Sequence, residues 1–178
     1  MSAASLPDKV VAIDEALQRA RLRHAFGGAL ALAYYAEPRA TIDIDVNLFV
    51  GTDRLKAVRQ ALEPLGVTAE DEPRDGQCRW WWDRTPVDLF FAYDPLHEAM
   101  RDSIRRVPFG EDRIPILGPE HLTVCKAVFD RAKDWIDIEQ ILVSNPDLDR
   151  EEIREWVRRL VGEADARALR FEELAARG

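Results

Sequence analysis

His24-Ala-Phe-Gly-Gly-Ala-Leu-Ala-Leu-Ala-Tyr-Tyr-Ala-Glu-Pro-Arg-Ala-Thr-Ile-Asp-Ile-Asp-Val-Asn-Leu-Phe-Val50 is the stretch on which the reading of this chain turns. At one end, Gly27-Gly28 precedes Ala29–Tyr35, a small, apolar run of high helix propensity apart from its tyrosines. At the other, Thr41–Val50 alternates. Ile42, Ile44, Val46, Leu48 and Val50 point one way, as in a core-facing strand, while Asp43, Asp45, Asn47 and Phe49 point the other. Two carboxylates at i and i+2 therefore share a face, with Cβ atoms roughly 7 Å apart. Aspartate is a poor strand former, and two like charges this close repel. A divalent cation removes the conflict. Hard carboxylate oxygens suit Mg²⁺, which takes one or two carboxylates and completes its shell with water and substrate phosphates. Backbone without side chains at a helix start is a ready anion site. A carboxylate pair with a phosphate cradle about fifteen residues upstream points to phosphoryl chemistry. Singly, Gly-Gly marks a turn and Asp-x-Asp a solvated strand face; their combination in one short segment is the specific signal.

This segment resembles the nucleotidyltransferase superfamily with the polymerase-beta-like fold, whose signature is a Gly-Gly or Gly-Ser turn, a helix, and a strand carrying Asp-x-Asp. Gly27-Gly28-Ala-Leu-Ala followed by Arg39-Ala-Thr-Ile-Asp-Ile-Asp45 looks most like the minimal nucleotidyltransferases and the toxin components of AbiE-type (type IV) toxin–antitoxin systems. The resemblance covers about residues 24–143. It implies an α/β nucleotidyltransferase fold, a mixed β-sheet with helices on one side over residues 1–118, and a C-terminal helical part over 119–178. It also implies a third carboxylate on a strand beside the Asp-x-Asp strand. Asp88, in Pro86-Val-Asp-Leu-Phe-Phe-Ala92, matches that place; an isolated acid there would be costly to bury.

Carried over residue by residue, the resemblance makes Asp43, Asp45 and Asp88 the catalytic and metal-holding set for two Mg²⁺ ions. Gly27, Gly28, Arg39, Thr41, Lys126 and Asp134 become the nucleotide-binding set, with ATP or another NTP as substrate. Arg39 is either a fork for carboxylate or phosphate, or a plain surface arginine. Lys126 lies within an apolar stripe formed by Leu122, Cys125, Val128 and Phe129. Lys133-Asp134 and Asp137 match a charged element of the family; the alternative is a brace between two helices, the preferred reading for Asp137. The implied activity is transfer of a nucleoside monophosphate to an acceptor hydroxyl. The acceptor is open: a small molecule of the antibiotic type, RNA or protein, the last two with an antitoxin protein as partner. A non-catalytic nucleotide- or partner-binding module of the same fold is the further alternative.

The rest of the chain supplies scaffold. Asp8–Arg23 reads as an amphipathic helix, with His24 as a cation at its end. Asp53–Leu65 reads as a second helix. Cys78–Trp82 and Val87–Ala92 read as a hairpin around a turn at 83–86, and Val107–Leu117 as a hairpin turning at Gly110. Trp80, Trp81 and Trp82 must alternate faces, for core packing or, less favoured, to stack a nucleobase. Residues 149–177 read as one or two charged helices.

The 178 residues are 47% hydrophobic and 33% charged, ordinary for a globular protein. Net charge is −8, which speaks against general DNA or RNA binding. No apolar run is long enough for a membrane span, and the N-terminus lacks the basic start and apolar run of a secretory signal. Cys78 and Cys125 have no metal-ligand spacing and read as reduced core thiols of a cytoplasmic protein.

Overall fold

The computed structural model of the chain describes residues 4–177. They divide into two units. The first takes the chain up to Leu30 and Ala40–Leu117; the second takes Ala31–Arg39 and the chain from Gly118 onward. In chain order the elements are α1 (Leu6–Arg19), β1 (His24–Phe26), α2 (Gly28–Leu32), β2 (Ile44–Leu48), α3 (Leu55–Leu62), β3 (Val67–Ala69), β4 (Gln77–Trp82), β5 (Thr85–Phe91), α4 (Pro95–Asp102), β6 (Arg105–Phe109) and β7 (Asp112–Ile116). The second unit adds α5 (Pro119–Phe129), α6 (Ala132–Ser144), α7 (Arg150–Val161) and α8 (Ala166–Ala175). Among the described residues, no helix is long and apolar enough to cross a membrane.

The first unit is organised on one seven-stranded mixed sheet, in the order β3-β4-β5-β2-β1-β7-β6. The β2–β5 and β1–β7 pairs are parallel and the others antiparallel. Register sets the two faces. Ile44↔Val87, Val46↔Leu89 and Leu48↔Phe91 pair across β2 and β5, and all six residues are buried. Because side chains alternate along a strand, the intervening pairs Asp45↔Asp88 and Asn47↔Phe90 lie on the opposite face. The apolar face holds the strands in place, and the polar face carries the candidate acids.

Several sequence expectations need correction. The Asp-x-Asp strand is shorter than the alternation suggested: β2 begins at Ile44, and Ile42 is 72% exposed. His24 does not cap a helix. The helix ends at Arg19, Arg21 turns the chain at a φ of 55°, and His24 opens β1. There it is buried, with Nε2 2.9 Å from Asp14 Oδ1 and Nδ1 2.9 Å from the Leu22 carbonyl. The β4–β5 turn is two residues, Asp83-Arg84, not four; Trp82 faces Thr85, and Asp83 takes the left-handed φ of 52°. The Asp53–Leu65 helix has its regular α-helical part in α3.

The N-terminal helix fixes that turn. A capping box starts α1: Asp8 N–H donates to Ser5 Oγ, and Ser5 N–H donates to Asp8 Oδ2. One turn on, Lys9 is buried, and its ammonium donates to the Trp82 carbonyl at 2.9 Å, Thr85 Oγ1 at 3.1 Å and Asp83 Oδ2 at 3.2 Å. It therefore grips both sides of the β4–β5 turn. Replacing it as Lys9→Met strips three acceptors of their donor, and we expect a loss of about 2 kcal/mol in urea unfolding.

Candidate active site

The carboxylates come together through register. Asp45 and Asp88 are Cα partners on parallel strands, so their side chains leave the same face side by side. Asp43 lies two residues before Asp45, just outside the regular strand. Its carboxylate Oδ1 accepts the Thr41 hydroxyl at 2.7 Å. Thr41, expected to bind nucleotide, thus orients Asp43. Asp88 is buried; Asp43 and Asp45 are half-buried.

The glycine turn packs directly on this pair. Gly27 N–H donates to the Asp45 carbonyl at 3.0 Å and extends the β1–β2 ladder. That bond engages the amide expected to face phosphate; what Gly27 contributes is the lack of a side chain. A Cβ there would stand 2.8 Å from Asn47 Nδ2. Gly28 is constrained twice over: its φ is +54°, and a Cβ would lie 1.7 Å from Asp45 Oδ2. The Asp45 carboxylate lies over bare backbone. The helix that follows, α2, has five residues, so its dipole adds little to an anion site.

A fourth charge, unforeseen from the sequence, completes the row. Arg79 on β4 is the register partner of Asp88. Its Nε donates to Asp88 Oδ1 and its Nη2 to Asp88 Oδ2, both at 2.7 Å. Across β2, β5 and β4 the face therefore reads acid, acid, base. The hydrogen bonds to Asp88 are the main cause that raises the Arg79 pKa above its ordinary value; burial opposes it, and the charges of Asp88, Asp43 and Asp45 reinforce it. The guanidinium thus stands in the field of all three acids. At the neighbouring Cys78, burial, with Asp71, Glu72 and Asp88, pushes the thiol up to about 12.

Among the described residues, no three His, Cys, Asp or Glu side chains form a ready-made metal cage. The expected three-carboxylate ligand set is not closed, since Asp88 has both oxygens on Arg79. The oxygen donors still fit a hard cation that shares its shell with water and phosphate. The bare backbone at Gly28 is taken up by the Asp45 carboxylate, which packs where a side chain would stand.

Arg39, Lys126 and Asp134 belong to the second unit and are drawn together there. Lys126 is buried, with Nζ 2.6 Å from Asp137 Oδ2 and 3.8 Å from Asp134 Oδ1. Arg39 donates to the same Asp137 carboxylate through Nε and Nη2. Asp134, fully buried, holds Arg131 N–H and guanidinium at the start of α6. Burial pushes the Asp137 carboxyl up, but the bonds from Arg39 and Lys126 outweigh it and bring it below the ordinary value. This is the bracing arrangement, and it engages both cations expected at the nucleotide.

The chain is similar to solved structures. A structure of ANT(2″)-Ia in complex with adenylyl-2″-tobramycin matches at a TM-score of 0.65 and 15% identity, covering 96% of this chain and 99% of that one. The chain has the nucleotidyltransferase fold. A nucleotidyltransferase-like protein from Paracoccidioides brasiliensis matches at a TM-score of 0.58 and 16% identity, covering 97% and 94% of the two chains. The lincosamide antibiotic adenylyltransferase LnuA, lincomycin-bound, matches at 0.54 and 14%, covering 71% and 90%. No protein-family model and no curated protein sequence matches the chain.

Two measurements test this geometry. Gly28→Ala places a methyl group on the Asp45 carboxylate in a left-handed backbone, and we expect at least about 1–3 kcal/mol of destabilisation by chemical unfolding. Asp137→Asn leaves a buried lysine short of its counter-charge, a loss of about 3 kcal/mol near neutral pH. The folded-state pKa of Asp137 lies below its unfolded value, about 3.9. Its contribution is therefore complete above that pH and is lost as pH falls through the folded pKa. The gap between wild type and Asp137→Asn should close below roughly pH 4 in acid-unfolding curves.

Proposed function

We propose that the protein is a nucleotidyltransferase, moving a nucleoside monophosphate from an NTP to an acceptor hydroxyl and releasing pyrophosphate. The observation that carries this reading is the Asp45↔Asp88 register beside a glycine turn that no side chain could occupy. The fold shared with ANT(2″)-Ia and LnuA supports it.

In this reading Asp43 and Asp45, with Asp88, would hold Mg²⁺. When bound, Mg²⁺ supplies positive charge to the attacking and leaving oxygens of an in-line displacement. The chain's own residues do the rest. Thr41 keeps the Asp43 carboxylate oriented. The Gly27-Gly28 turn keeps Asp45 in place, its missing side chains leaving the space that the Asp45 carboxylate and Asn47 fill. Asp88 takes the proton of the acceptor hydroxyl as its oxygen bonds to the α-phosphorus and the bond to pyrophosphate breaks. Arg39, Lys126 and Asp134 have no step here, since their hydrogen bonds are made to Asp137 or Arg131.

For the acceptor, we favour a small hydroxylated molecule. The net charge of −8 opposes a polynucleotide, and two of the similar structures hold adenylyl-2″-tobramycin and lincomycin. A toxin acting on RNA or protein is separated from this by the label. Incubation with each radiolabelled NTP, Mg²⁺ and either an antibiotic panel or cell extract should move label into a small product; label in RNA or protein favours the toxin. Asp45→Asn should cut transfer by roughly a thousandfold or more while leaving circular dichroism unchanged. Full activity in that variant overturns the scheme.

A further inference from the structure

Asp88 is the most deeply buried of the three acids, yet its counter-charge among the described residues comes from a residue that is not. The Asp88 side chain is 7% exposed and the Arg79 side chain 48% exposed. Their contact is a two-pronged fork, Nε to Oδ1 and Nη2 to Oδ2, the geometry in which arginine binds a carboxylate most specifically. It occupies both oxygens of a carboxylate that stands directly opposite Asp45. Like charges facing each other across strands destabilise a sheet, and the guanidinium is the cation that relieves this one. Asp88 cannot leave: it sits mid-strand between Val87 and Leu89, both fully buried on the opposite face. Arg79 can, because its long side chain is half in water and free to swing outward once another cation takes over its charge.

We infer that Arg79 is the resident counter-ion of Asp88, holding the buried carboxylate before a divalent cation binds and yielding at least one of its oxygens when one does. Arg79 is then a positioning residue that competes with the metal and sets its affinity. The inference rests on the nucleotidyl-transfer reading above and deepens it. It explains how two opposed carboxylates persist in a folded sheet and why no closed metal cage is found among the described residues. It also gives the proton-accepting oxygen of Asp88 a condition: the oxygen is released only where a second positive charge takes over from the guanidinium.

The test is metal binding to the nucleotide-free protein, followed by calorimetry with Mn²⁺. Arg79→Gln should bind about tenfold more tightly than wild type, the effect of removing one unit charge next to the site. Equal or weaker binding overturns the inference. Should Arg79→Gln fail to fold, wild type carries the test alone. The Arg79 Nε–Hε signal in nitrogen–proton NMR, assigned by its loss in Arg79→Lys, should shift on Mg²⁺ titration and saturate with the binding isotherm. A signal unmoved at saturation overturns the inference. Wild type that transfers nucleotide but shows no competition loses this inference alone. Wild type that neither binds a divalent cation nor transfers loses the proposed function, and this inference with it.

Discussion

Two carboxylates facing each other across parallel strands are an arrangement a sheet does not adopt unaided. Asp45 and Asp88 hold it because the other face of the same strands leaves no freedom: Ile44, Val46, Val87 and Leu89 are all essentially without exposure. A one-residue slip would send those four side chains to the polar face and the acids into the core. Burial on one side thus dictates charge crowding on the other. Arg79 answers part of that crowding, and an external cation can answer more. Repulsion between fixed acids becomes binding energy for positive charge.

The glycine turn belongs to the same constraint. The β1–β2 ladder continues past Phe26 through the Gly27 amide to the Asp45 carbonyl. The chain must then turn sharply, and it does so at Gly28 in the left-handed region. Asp45 occupies the space where a Cβ would be. Two features that looked separate in the sequence, a Gly-Gly turn and an Asp-x-Asp strand, are one packed object. In the second unit, buried charge is handled differently. Lys126 and Asp137 pair while buried, and half-buried Arg39 shares the same carboxylate from the edge; such a network fixes geometry more than it adds stability.

The acids were legible in the sequence because they violate a pattern: Asp43 and Asp45 interrupt an apolar alternation, and Asp88 sits inside Val-Asp-Leu-Phe-Phe. Arg79 was not, because its meaning depends on a turn length. A four-residue turn at 83–86 would set Trp81 opposite Asp88 and Arg79 opposite Phe90. The actual turn at Asp83-Arg84 shifts the pairing by two and delivers the guanidinium to the acid. The Arg39–Asp137 bond was equally hidden, since the partners are 98 residues apart and nothing local in either segment requires the other. His24 was misread because helix ends are fixed by backbone turns such as the one at Arg21, which composition does not announce.

The turn therefore carries more than its two residues. Asp83 takes a left-handed conformation, uncommon for a residue other than glycine although aspartate is among those that adopt it most readily, and the short turn draws on outside support. Lys9 provides it, reaching from α1 to the last carbonyl of β4, the Asp83 carboxylate and the first hydroxyl of β5. With that clamp, Trp82 must face Thr85, and the register runs down the hairpin to Arg79 and Asp88. Without it, a longer turn would leave a buried carboxylate beside an indole ring, with the cost of an unpaired charge in an apolar setting. A lysine on the first helix thus decides which side chain meets the third acid, several residues away on another element.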